Sequence, residues 1–136
     1  MLLGITDLAL LERLNILGTS LENLVAQRLQ TEITLTRSHA RLHYWRTKTK
    51  EEVDLVVATA QTLLPLEIKS DHSVPKRYLK GIDKFLDKEG ETIGVLIGRI
   101  DALEVIRQKG KEIFLVPLWM VYWRTWPLFR LKFQIS

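Results

Sequence analysis

Asp54, Glu67 and Lys69 are the residues whose types and spacing suggest chemistry. They stand in EEVDLVVATAQTLLPLEIKS, residues 51–70, inside two short apolar runs that otherwise read as buried strands. An ionised group near a core costs several kcal/mol unless it is paired or binds a metal. Side chains alternate faces along a strand. In EVDLVV this puts Glu52, Asp54 and Val56 on one face and Val53, Leu55 and Val57 on the other. In LPLEIKS it puts Glu67 and Lys69 opposite Leu64, Leu66 and Ile68. Paired as a hairpin, the two runs project Asp54, Glu67 and Lys69 from one side of a sheet. Converging carboxylates repel unless a cation joins them, and hard oxygen ligands favour Mg²⁺ or Mn²⁺. A neighbouring lysine can orient an attacking water or hold a phosphate oxygen. Such a set suits metal-assisted phosphodiester hydrolysis. A hairpin with one wet face carries the same residue types as a matter of course, and periodicity alone does not separate the two.

The surrounding pattern supplies elements to hold these residues. GTSLENLVAQRLQT, residues 18–31, predicts a helix capped by Ser20, with Leu21, Leu24, Val25 and Leu29 as its apolar stripe and Glu22 in its first turn. LLERLNILG before it predicts another short helix, stopped at Gly18. From Arg41 the period changes to two, and RLHYWRT, EVDLVVA and LLPLEIKS predict an antiparallel three-strand meander. PKRYLKGIDKFLDKEG predicts a helix between Pro75 and Gly90, and TIGVLIG a buried strand. LEVIRQKGKEIFLVPLW fits a hairpin turning at Lys109-Gly110, or a short helix and a strand. The order helix, three-strand meander, helix, strand predicts a mixed α/β layer, a small central sheet flanked by helices.

Composition narrows the class. The 136 residues suffice for one domain with a real core, and 46% hydrophobic with 26% charged content is ordinary for a soluble protein. Cysteine is absent, which excludes disulfides and thiolate metal sites and makes the reducing cytoplasm the expected compartment. No apolar run of about 18 residues supports a membrane span, and Asp7, Glu12 and Arg13 interrupt the apolar start. A net charge of +4 is compatible with a polyanionic partner.

Other signals are weaker. His39, His43 and His72 lack metal-ligand spacing and read as surface or strand-end residues. Arg37, Arg41, Arg46, Lys48 and Lys50 surround Tyr44 and Trp45, a basic-aromatic mix able to follow a nucleic-acid backbone; solvated strand ends beside core aromatics look identical. Lys76, Arg77, Lys80 and Lys84 read as the wet face of their helix, with phosphate contacts as a further use. The tail, residues 123–136, carries Trp123, Trp126, Phe129 and Phe133, which with Trp119 suit a docking strand, a dimer or partner-protein contact, or a flap of core.

The arrangement D-x12-E-x-K, with the Asp beginning one strand and E-x-K ending the next, resembles the signature of the PD-(D/E)XK nuclease superfamily. LENLVAQRL, LHYWRTKTKEEVDLVV, LLPLEIKS, YLKGIDKFL and FLVPLWM, in this order, resemble the nuclease-like C-terminal domain of a widespread family of prokaryotic AAA+ ATPases. The resemblance runs from about residue 18 to 122, with residues 1–17 as a helical lead-in and 123–136 outside it. It implies a restriction-endonuclease-like core. It also implies Asp54 and Glu67 as metal ligands with the Ile68 carbonyl, Lys69 steering water or phosphate charge, and Glu22 holding a metal-bound water or a second ion. DNA is the implied substrate, reached by Arg46, Lys48, Lys50, Lys76, Arg77 and Lys80.

Two departures qualify it. No G-x-x-x-x-G-K-[ST] occurs, so ATP binding by that route is not expected, and the chain reads as a free-standing module or a relic of a longer protein. Val53 stands where the superfamily places a proline. The alternative expectation is a non-catalytic interaction module descended from the same domain.

Overall fold

The change of period at Arg41 is where the chain leaves a helix for a sheet. The computed structural model describes residues 17–35, 39–46, 48 and 52–122. Helix α1 spans Leu17–Leu35, followed by β1 (Arg41–Arg46), β2 (Glu52–Ala58) and β3 (Leu63–Ile68). A 3-10 turn at Lys76–Leu79 runs directly into α2 (Lys80–Glu89). Then come β4 (Ile93–Gly98), β5 (Glu104–Gln108), β6 (Lys111–Pro117) and a second 3-10 turn, Leu118–Tyr122.

The six strands form one sheet in the order β1-β2-β3-β4-β6-β5. Strands β1, β2 and β3 are the antiparallel meander that their short connections require. β4 runs parallel to β3, because the connection between them carries α2 across a face. β6 is parallel to β4 and antiparallel to β5. Lys109 and Gly110, with φ of 51° and 75°, make the two-residue turn of the β5–β6 hairpin, which settles that segment in favour of the hairpin. The fold is the mixed α/β layer that the pattern predicts.

Each face of the sheet has its own core. On one, Leu21, Val25, Leu29 and Ile33 of α1 bury against Leu55, Val57, Leu64, Leu66, Ile68, Val95 and Ile97. On the other, Ile82, Phe85 and Leu86 of α2 bury against Val53, Val56, Leu96, Ile113 and Leu115. Fully burying one such side chain stabilises by roughly 1.5–3 kcal/mol. Among the described residues no helix is long and apolar enough to cross a membrane.

The start of α1 departs from expectation. The helix already contains Leu17 and Gly18, Ser20 lies inside the helix rather than capping it, and no acidic residue occupies the first turn. Burial of the Leu21–Ile33 stripe outweighs one helical glycine, which costs about 1 kcal/mol. Lys50, the lead-in before Leu17 and the aromatic tail from Trp123 lie outside the described residues.

The approach of α2 to the sheet depends on Gly94. A Cβ there would lie 2.4 Å from Ile82 Cγ2, a branched group held in a fully buried side chain. Gly94→Ala is expected to destabilise the domain by about 1–3 kcal/mol, read as a lower midpoint in chemical denaturation.

Candidate active site

The aim of Asp54 is set by an irregularity in β2. His43 pairs with Val56 and Trp45 with Val53, so two residues of β2, Asp54 and Leu55, face the single residue Tyr44. This is a β-bulge, which re-aims side chains by one position. It corrects the simple alternation expected for EVDLVV. Val53 joins Val56 in the core under α2, while Leu55 and Val57 face α1.

The bulge opens the ladder between β2 and β3. Their paired register ends at Leu55 and Leu66. The Lys69 amide donates to the Ile97 carbonyl on β4 at 2.9 Å, so the preceding amide, of Ile68, faces β2. There it donates to Asp54 Oδ2 at 2.7 Å. A carboxylate stands where a strand carbonyl would ordinarily accept. In extended backbone a residue's N–H and C=O share an edge, so the Ile68 carbonyl also turns toward Asp54.

Glu67 and Lys69 lie on the α2 face, opposite Leu66 and Ile68. Glu67 is 6% exposed, and its Oε1 pairs with Lys69 Nζ at 3.0 Å. Its Oε2 is buried and has no hydrogen-bond partner. Burial, with the charge of Asp54 added, pushes the Glu67 carboxyl up to about 7 against the pull of Lys69. Burial lowers Lys69, but Glu67, through charge and hydrogen bond, together with the charges of Asp54 and Tyr78, more than reverses this and the net direction is upward. Asp54, Glu67 and Lys69 are therefore brought together as the hairpin reading expects.

Tyr78 and Asp71 complete the surroundings and were not signalled as site residues by the sequence. Lys69 Nζ and the Arg77 guanidinium each lie 5.0 Å from the centre of the Tyr78 ring. The Tyr78 hydroxyl bonds Asp71 Oδ2. In the sequence Tyr78 belongs to the helix's apolar stripe and reads as core; its nine-residue distance from Lys69 gives no hint of contact.

The remaining candidates are placed as follows. Glu22 stands half-buried on α1, the helix of the opposite face. Among the described residues no group of three or more His, Cys, Asp or Glu side chains is arranged to hold a metal ion. Arg46 is exposed at the end of β1, opposite Glu52, and so at the sheet end where Asp54 lies; Lys48 is exposed in the turn after it. Lys76, Arg77 and Lys80 are exposed on the 3-10 turn and at the first residue of α2. His39, His43 and His72 are exposed.

The upward shift of Glu67 has a consequence for stability. Between pH 4.5, its ordinary value, and about 7 the folded chain retains a proton that the unfolded chain releases. Stability contributed by this group is thus full below 4.5 and lost as the pH rises through about 7. Glu67→Gln is expected to flatten that slope, a change on the order of 3 kcal/mol across the window. Urea denaturation at several pH values checks it, read as slope because glutamine also deprives Lys69 of its ion pair.

No curated protein matches this sequence. Residues 17–121, which include every described helix and strand, match the sequence model of a family described as a domain of unknown function, DUF4143. That family occurs in the C-terminal regions of AAA+ ATPases. With the match covering most of its length, the chain belongs to the DUF4143 family.

Proposed function

We propose that this domain is a nuclease-like module that binds Mg²⁺ or Mn²⁺ at Asp54 and Glu67 and hydrolyses DNA phosphodiester bonds. Glu67 carries the reading. It is a buried carboxylate with one oxygen on Lys69 and the other unpartnered, beside a second carboxylate. An unsatisfied buried polar atom costs roughly 1–3 kcal/mol, and a hard cation held jointly with Asp54 would satisfy this one. Mg²⁺ keeps several waters and is commonly bound through one or two carboxylates plus substrate phosphates. Two neighbouring carboxylates therefore fit the ion. The Ile68 carbonyl is a further candidate oxygen, and Glu22 would hold a metal-bound water or a second ion.

When bound, such an ion polarises the phosphoryl group and lowers the pKa of water. The other parts of the reaction fall to this chain's own groups. Asp54 is held in orientation by the Ile68 amide. Lys69, its pKa raised, remains an ammonium at neutral pH and offers donors to a phosphate oxygen or to the attacking water. Arg46 and Lys48 on one flank, with Lys76, Arg77 and Lys80 on the other, supply positive charge for a phosphate backbone. The PD-(D/E)XK resemblance, with a restriction-endonuclease-like core, supports the same reading.

Thermal unfolding with and without divalent ions tests the site. With a Kd near 1 mM, about 10 mM Mn²⁺ stabilises by roughly 1.4 kcal/mol, a rise of several degrees in Tm. Asp54→Ala and Glu67→Ala are expected to abolish that rise, together with cleavage of branched or single-stranded DNA. A wild-type chain that ignores divalent ions and cuts nothing is instead a non-catalytic assembly module. For the flanks, Lys76→Ala with Lys80→Ala is expected to weaken DNA binding evenly across sequences. The slope of log K against log salt should become shallower by about 2, measured by fluorescence anisotropy.

A further inference from the structure

We propose that Tyr78 is a positioning residue that holds the Lys69 ammonium against Glu67, and that Asp71 fixes the tyrosine for this purpose. The inference rests on the nuclease-like reading for its effect on catalysis, but the positioning itself does not.

A lysine is a point charge on a flexible four-carbon stem. The Lys69 side chain is 32% exposed, so the ion pair at 3.0 Å leaves its ammonium a route into water. The Tyr78 ring supplies a second attachment, with its centre 5.0 Å from Lys69 Nζ, inside the range of cation–π attraction. The ring is constrained in turn. Its body packs against the core under α2, its amide donates to the Pro75 carbonyl at 3.0 Å, and its hydroxyl bonds Asp71 Oδ2. Asp71 is anchored through its own carbonyl, which accepts from the Arg99 amide at 3.3 Å. Arg99 Nη1 also reaches the Ser70 carbonyl at 3.5 Å. The loop after β3, the segment after β4 and the turn before α2 are thus tied together, and they determine where the ammonium rests.

A tyrosine that only filled the core would not need its hydroxyl on an acid or a cation over its ring. NMR of the full chain separates the two roles. In the wild type, the Lys69 ε-methylene protons, assigned by their loss in Lys69→Gln, are expected to be shifted by the aromatic ring current. Tyr78→Leu should return them to the position of solvent-exposed lysines, and Tyr78→Trp should keep them shifted. If Tyr78→Leu does not fold, Asp71→Ala, which releases the ring and deletes no core carbon, should reduce the shift. Where DNA cleavage is measurable, Tyr78→Leu is expected to lower kcat about tenfold with KM within about twofold, and Tyr78→Trp to restore most of it. An unshifted Lys69 signal in the wild type, or one that ignores Tyr78→Leu, overturns the proposal. Absence of cleavage with a normal ring-current response overturns the nuclease reading and leaves the positioning intact.

Discussion

The bond from the Ile68 amide to Asp54 Oδ2 determines how the charged residues of this domain meet. A β-ladder between β2 and β3 would otherwise continue past Leu55 and Leu66 and pair backbone with backbone. Because a carboxylate takes the amide instead, the strands need not stay in register at that end, yet the Ile68 amide keeps an acceptor. The arrangement depends on the extra residue in β2. Without it Asp54 would follow strict alternation, and the Ile68 amide would need another acceptor.

The two-faced core explains why the charges gather on one side only. β3 gives Leu64, Leu66 and Ile68 to the α1 face, so Glu67 and Lys69 must emerge under α2. There they meet the 3-10 turn that leads into the helix, with Tyr78 at its centre. Lys111, bound to Asp83 at 2.7 Å and Asp87 at 2.5 Å, ties the β5–β6 hairpin to the same helix. Glu22 belongs to the other layer. Its helix packs on the face that β3 supplies with Leu64, Leu66 and Ile68.

The meander, α2 and β4 were legible in the sequence, because each rests on local periodicity and short connections; the approach of Asp54 to Glu67 and Lys69 was expected from an alternation that the bulge overturns. The hairpin at Lys109-Gly110 was legible as one of two options, and the positive φ at both residues is what a two-residue turn demands. Three features were not legible. The bulge leaves no mark in EVDLVVA, since Val53 is apolar and suits either face. The position of Ser20 inside α1 reflects tertiary burial of Leu21 to Ile33, which local capping preference does not report. The contact between Tyr78 and Lys69 arises from a crossover geometry that places a helical turn over a strand end, and an apolar stripe cannot say which of its members also touches a cation.

Gly94 lies away from the charged cluster, but its missing side chain sets the height of α2 above the sheet. Since that helix continues without a break from the turn bearing Tyr78, the separation between layers at the glycine is transmitted along a stiff rod to the aromatic ring. The domain thus has a mechanical gauge in its hydrophobic interior: the clearance at one small residue bears on the placement of an ammonium group about one helical turn away. Interior volume changes could retune this electrostatic environment while every ionisable residue stayed the same.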